Sequence, residues 1–218
     1  MPTVLLIRHG DNDYAKKQRL AGRLPGIHLN EKGRAQAEEL ARALREVPLK
    51  AVYSSPLERA VETAQPIAEA HGLKVIKRAG LIETDQGMWE GKSVKSLRRS
   101  KEWKSVHLRP SRFHHPGGES MLHQQMRQVE EIEAICALHK AKDVIACVGH
   151  GDPIKLVIAH LIGLPLDHFQ RLMLDTASVS TLLMKGEWGT MLLNLNWTVK
   201  GFGTKKNFDI LNFLAGGP

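Results

Sequence analysis

The chain has 218 residues, 42% of them hydrophobic and 25% charged, with 31 Lys and Arg against 23 Asp and Glu and a formal net charge of +8. That length suits one large domain, and no apolar run approaches the roughly 20 residues that a bilayer crossing needs. The positive balance favours anionic partners, and nothing near the N-terminus reads as an export signal.

The first apolar run, VLLI (4–7), predicts a buried strand that ends directly in Arg8, His9 and Gly10. Ala37, Leu40, Ala41, Leu44 and Val47 recur at helical spacing within 32–47. AVYS (51–54) predicts a second strand, and SPLE (55–58) reads as a capping box with Pro56 at the first helical position. Pro66 falls inside that helix and predicts a bend. LKVI (73–76) carries a weaker strand signal. Residues 88–118, rich in Lys, Arg, His and Trp without steady periodicity, read as a cover over one edge.

Further on, Leu122, Met126, Val129, Ile132 and Cys136 predict a helix over roughly 119–139. VIACV (144–148) predicts a buried strand followed by Gly149, His150 and Gly151. Asp152 and Pro153 read as the N-cap and first position of the next helix, which carries Ile154, Val157, Ile158 and Leu161 and stops at GLP (163–165). VSTLLM (179–184) and TMLLNLN (190–196) predict two more strands joined by a hairpin turn at KGEWG, before a weakly specified tail from about 198. Strand–helix alternation of this kind predicts an α/β fold: a three-layer α/β/α sandwich with a mostly parallel central sheet, as one domain over 1–218.

Three of the buried runs end in polar residues of related chemistry. Arg8 and His9 follow the first, Ser55 to Arg59 the second, and His150 the strand at 144–148. In open parallel sheets the ligand crevice lies beyond the carboxyl ends of the strands, so three parallel neighbours would bring two arginines and two histidines to one place. Each residue alone reads as a solvent-facing polar side chain; their equivalent topological positions give them meaning together. Helix N-termini beside Arg59 and His150 would add free N–H groups, and two guanidiniums suit a tetrahedral dianion. Gly10 and Gly151 are expected to let backbone approach the ligand closely. Glu83, in LIETDQGMWEG (81–91), is placed beside Trp89 and a low-dielectric wall that would raise its pKa and make it an acid; the alternative is a loop carboxylate balancing the arginines.

Other features carry less. The basic run at 92–112, with Trp103, could meet nucleic acid, but no nucleic-acid module accompanies the charge and a cationic cover drawing anionic substrates inward is preferred. His107, His114, His115 and His123 lack metal-ligand spacing, so no metal is expected. No G-x-S-x-G is present to suggest a serine hydrolase. Cys136 and Cys147 are the only cysteines and form no CxxC pair, which suits a reducing compartment and makes the cytoplasm the expected location.

LIRHGDND, SSPLERAVETA, LIETDQGMWEG, PGGES and VGHGDPIK resemble, in order, the successive signatures of the histidine phosphatase superfamily, also called the phosphoglycerate mutase-like family. The similarity runs from residue 3 to about 161 and is nearest to a poorly characterised bacterial branch of phosphomutases and phosphatases. It implies that His9 is the nucleophile that becomes phosphohistidine, that Arg8, Arg59 and a protonated His150 hold the phosphoryl oxygens, and that Glu83 donates the proton to the leaving oxygen. Gly10, Asn12, Gly22 and Gly151 join the expected substrate-binding set, together with Arg23 of the AGRLPG loop (21–26), which is expected to reach the non-reacting part of the substrate.

The expected partner is a small phosphorylated metabolite and the expected reaction phosphomonoester hydrolysis, with no cofactor. A cofactor-dependent phosphoglycerate mutase using the same histidine, and needing a bisphosphoglycerate-type primer, is the alternative; a phosphate-binding module without turnover is a third reading. Tyr14 and Ala15 stand where such mutases carry Trp and Asn, and the cover is short for a mutase that must keep water from phosphohistidine. The oligomeric state is not legible, a homodimer being compatible with the sequence.

Overall fold

The structure, a computed structural model, describes residues 2–186 and 189–199. Six strands, β1 (Thr3–Arg8), β2 (Leu49–Ser54), β3 (Val75–Lys77), β4 (Val144–Gly149), β5 (Val179–Gly186) and β6 (Gly189–Trp197), form one sheet in the order β3-β2-β4-β1-β5-β6. The β3-β2-β4-β1 portion is parallel, and β5 and β6 complete the sheet antiparallel. Among the described residues the α-helices are α1 (Asp13–Lys16), α2 (Glu31–Ala43), α3 (Glu58–Ala70), α4 (Val94–Leu97), α5 (Lys101–Leu108), α6 (Met121–Ala137) and α7 (Gly151–Leu161).

Continuous apolar runs make sense in strands covered on both faces. Along β1, Leu5 and Ile7 enter one core with Leu40 and Leu44, Ala64 and Ile67 of α3, and Val148. Val4 and Leu6 point the other way, into a core with Val129 and Ile132 of α6 and Ile154 and Ile158 of α7. The expected three-layer α/β/α arrangement is thus present. The cover is helical, and its apolar cluster of Trp89, Leu97, Val106 and Phe113 packs against Leu156 and Phe169.

Local departures from the sequence reading have physical causes. Helix α3 begins at Glu58 with Leu57 at the N-cap and no side-chain cap bond; the Ser55 hydroxyl accepts from the Leu57 N–H at 3.4 Å and lies 2.8 Å from Nε2 of His150. It continues through Pro66 to Ala70. Helix α7 starts two residues earlier than expected: His150 holds the N-cap position, and Asp152 pairs with Lys155 at 3.1 Å. On α6, Leu122 and Met126 are exposed while Gln124, Gln125 and Gln128 face inward. Gln125 donates to the Leu156 carbonyl and Gln128 to that of Ile82, so polar side chains occupy part of the inner face. Residues 187 and 188 of the expected hairpin turn, and the tail from residue 200, lie outside the described residues.

The loop after β1 lies against the first turn of α2. A Cβ on Gly10 would come 2.7 Å from the Gly33 carbonyl oxygen, and one on Gly33 would come 2.0 Å from the Asp11 carbonyl oxygen. Gly10 therefore serves this backbone contact rather than the approach of a ligand, and its N–H is taken by Thr63 Oγ1 at 3.0 Å. Gly to Ala inside a helix ordinarily gains up to about 1 kcal/mol. Gly33→Ala is expected to reverse that sign and cost roughly 1–3 kcal/mol of stability. Urea denaturation of the two proteins measures it, and a variant as stable as the parent contradicts the packing.

Candidate active site

Because β1, β4 and β2 are adjacent and parallel, their carboxyl ends deliver Arg8 and His9, His150, and the loop to Arg59 to one edge of the sheet. There they meet a cleft of about 420 Å³ lined by Arg8, His9, Asn12, Gly22, Arg59, Glu83 and Gly151. His150 lies directly behind, fully buried, with its ring centroid 5.2 Å from that of His9.

The His9 ring is oriented at both nitrogens. Nδ1 lies 2.7 Å from the Gly10 carbonyl, which can only accept, so the proton sits on Nδ1. Nε2 keeps its lone pair and accepts from Nε of Arg59 at 3.3 Å. Burial, then the charges of Arg59 and Arg8, hold the His9 pKa well below 6.5, so the ring is neutral and nucleophilic at Nε2.

Arg59 is the second residue of α3 and is fully buried. Its Nη2 donates to the Gly22 carbonyl at 2.8 Å, and Thr63 Oγ1 donates to the Arg59 carbonyl one turn on. Gly22 is thus an anchor for Arg59; its φ is +49°, a conformation that glycine adopts without strain. Arg8 Nη1 donates to the Leu174 carbonyl at 2.5 Å. Its Nε lies beside the start of α7, where a Cβ on Gly151 would come within 3.3 Å of it. Three buried nitrogens around His9 have no hydrogen-bond partner among the described residues: Nε of Arg8, Nη1 of Arg59 and Nδ1 of His150. Buried donors are ordinarily satisfied, so three together mark a site shaped for an acceptor-rich anion.

His150 departs from expectation in charge. Burial, followed by Arg59, His9 and Arg8, depresses its pKa well below 6.5, so it is neutral before a ligand arrives. A dianion between these residues would favour protonation, which reconciles the expected cationic role with the depressed pKa. Its Nδ1 lies 3.7 Å from Oε2 of Glu83. Glu83 is largely buried, and burial raises its pKa above 4.5 despite the opposing charge of Arg59. Trp89 does not supply the wall expected beside Glu83; it packs against Trp103, Phe113 and His115.

Asn12 lines the cleft and caps α1 through Oδ1 to the Ala15 N–H. Arg23 is absent from the cleft wall: it donates to the Glu83 carbonyl and meets Glu119 and Asp85, so its expected contact with substrate is replaced by contacts behind Glu83. The sequence reading missed Ser55, which sets the His150 ring, and Thr63, which holds Gly10 and Arg59. Both carry ordinary cap-like or helical signals. It also missed Arg19 and Lys155, which line the cleft beside Gln18 and Gln86 together with Arg98 of the expected cationic cover. Among the described residues, no group of three or more His, Cys, Asp or Glu could hold a metal ion.

Comparison with known proteins gives a consistent picture. The family model of the histidine phosphatase superfamily (branch 1) matches residues 4–198. Phosphoserine phosphatase 1 of Hydrogenobacter thermophilus is 33% identical over 200 residues, covering 91% of this chain and 93% of that protein. A protein of Erwinia tasmaniensis named "Probable phosphoglycerate mutase GpmB" is 29% identical, covering 83% of this chain and 84% of its own length. Among solved structures, the phosphoserine phosphatase of Entamoeba histolytica in complex with 3-phosphoglyceric acid matches with a TM-score of 0.81 at 26% identity, covering 91% of this chain and 98% of that one.

Proposed function

This chain belongs to the histidine phosphatase superfamily, branch 1, and on that premise we propose that it hydrolyses small phosphomonoesters through a phosphohistidine at His9. The observation that carries the proposal is the His9 ring itself: Nδ1–H held by a carbonyl, Nε2 unprotonated, and unpartnered donors of Arg8, Arg59 and His150 around it.

In the first step Nε2 of His9 attacks phosphorus as the bond to the ester oxygen breaks. Charge spreads over three equatorial oxygens, which Arg8, Arg59 and His150 face with fixed donors. Glu83, whose protonated form burial favours, gives its proton to the departing alkoxide. In the second step the Glu83 carboxylate takes a proton from water, the hydroxide oxygen bonds phosphorus, and the N–P bond breaks. Inorganic phosphate leaves and His9 returns neutral. The positive charge needed is the chain's own, so the proposed steps require no cofactor.

The names of the relatives point first to phosphoserine and then to phosphoglycerates as substrates. Arg19, Arg98 and Lys155 at the mouth suit the carboxylate of either. The test is a phosphomonoester panel assayed for phosphate release without a bisphosphate primer. Release from phosphoserine or a phosphoglycerate supports the hydrolase; primer-dependent isomerisation with little release favours the mutase instead. We also place the protein in the cytoplasm, where two buried thiols outside any disulfide are at home, and no described helix is long and apolar enough to cross a membrane.

The pH dependence follows from the two shifted groups. Neutral His9 persists down to its depressed pKa, so the acid limb of kcat/KM lies well below pH 6.5. Protonated Glu83 persists up to its raised pKa, so the alkaline limb lies above pH 4.5. Glu83→Gln is expected to remove the alkaline limb and keep the acid one. An unchanged alkaline limb in that variant contradicts the assignment.

A further inference from the structure

Glu83 lies on an irregular stretch between short turns at Ala79–Leu81 and Gly87–Trp89. Its carboxylate is held locally only by Thr84, whose N–H and Oγ1 donate to Oε1 at 2.8 and 3.2 Å. Regular structure therefore does not aim this side chain. The backbone on either side is instead gripped by side chains from three other parts of the chain. Arg127 of α6 donates Nη1 to the carbonyls of Gly80 and Ile82 at 2.7 and 3.2 Å, and Gln128 adds a bond to the Ile82 carbonyl at 2.7 Å. Arg23, from the long connection after β1, donates Nε to the Glu83 carbonyl at 2.9 Å. Glu119, just ahead of α6, accepts the Asp85 N–H on Oε1 at 2.9 Å, and its own N–H donates to the Asp85 carbonyl at 3.0 Å.

These clamps converge on one carboxylate. Oε1 of Glu119 also accepts Nη2 of Arg23 at 3.0 Å and Nη2 of Arg127 at 2.8 Å. Its Oε2 faces Nε of Arg127 at 3.3 Å and Nδ1 of His123 at 3.3 Å. Glu119 is buried. Burial alone would push its pKa up, but the Arg127 and Asp85 hydrogen bonds hold it below 4.5, so the hub stays charged. Buried ion pairs contribute little net stability against apolar replacements, which leaves geometric definition as the better account of a network this elaborate.

We propose that Glu119 and Arg23 are positioning residues for Glu83: together they clamp the backbone of residues 83–85 so that the Glu83 carboxyl meets the leaving oxygen. The proposal rests on the reading of Glu83 as the acid, and its consequence is specific. Only a poor leaving group needs a well-placed proton. Arg23→Met and Glu119→Gln should therefore lower kcat/KM for an alkyl phosphate such as phosphoserine by about ten- to a hundredfold, the range that about 1 Å of misplacement costs. For p-nitrophenyl phosphate, whose leaving group departs without protonation, the same variants should lose less than about threefold. Because kcat/KM runs only to release of the alcohol, hydrolysis of the phosphoenzyme does not enter. Arg23→Lys, which keeps the charge and one donor, should recover part of the alkyl activity.

Equal losses on the two substrates, or no loss on either, overturn the proposal. Arg23 is partly exposed, so its variant remains informative even where Glu119→Gln fails to fold. Glu83→Gln measured alongside separates the two ideas. If it discriminates between leaving groups and the Arg23 variant does not, only the positioning proposal fails. If Glu83→Gln itself does not discriminate, the acid assignment fails first.

Discussion

His9→Ala is expected to lose at least about a thousandfold in kcat/KM toward every phosphomonoester the parent hydrolyses, as removal of a covalent nucleophile does. No neighbouring group can take over. His150 has Nε2 committed to Ser55, and its Nδ1 is assigned to a phosphoryl oxygen rather than to phosphorus. Phosphate binding, by contrast, should survive in the variant, because Arg8, Arg59 and the start of α7 remain in place. Steady-state assays with calorimetric titration of inorganic phosphate read both quantities. Near-normal turnover by the variant contradicts the mechanism, and loss of phosphate binding as well as turnover points to a collapsed cleft instead.

Arg59→Met should cost about a hundred- to a thousandfold in kcat/KM, the usual effect of removing one preorganised donor from a developing anion. Arg59→Lys should recover little, since a single ammonium cannot reach Gly22, Nε2 of His9 and a phosphoryl oxygen at once. The variant also carries a directional signature. Arg59 is the larger of the two charges that depress the His9 pKa, so without it protonated His9 is less disfavoured. Its pKa rises, neutral His9 is lost at a higher pH, and the acid limb of the profile moves upward. Thermal denaturation in parallel separates this from simple unfolding. An acid limb that stays put contradicts the electrostatic coupling between Arg59 and His9.

Much of this site could be read before any coordinates because its residues sit at the ends of buried parallel strands. Such strands spell continuous apolar runs, and whatever follows them falls at the sheet's carboxyl edge. That is why Arg8, His9 and His150 could be grouped from spacing alone. Tertiary competition hid the rest. Ser55 carries the same signal whether it caps a helix or orients an imidazole, and here it lies 2.8 Å from the imidazole of His150. Asp152-Pro153 looks like a helix start, but His150 takes the N-cap with extended backbone, φ −126° and ψ 163°. The glutamines of α6 are polar in any hydrophobic pattern, yet Gln125 and Gln128 face inward, where they donate to the carbonyls of Leu156 in α7 and of Ile82. Arg23 stands close in sequence to cleft residues, and only the position of Glu119, a distant segment, shows that its guanidinium is already engaged. The charge of His150 could not be read either, since its pKa depends on burial and on neighbours from α3, the end of β1 and α6.

The most direct measurement is to trap the intermediate. The protein is mixed with a radiolabelled phosphomonoester, quenched rapidly in denaturant at alkaline pH, digested, and the labelled peptide sequenced. The account predicts one phosphoryl group on His9, stable to alkali and lost in acid as a phosphoramidate is, with none on the His9→Ala variant. Label on a different side chain, or turnover with no covalent phosphoenzyme at any point of the burst, would contradict it.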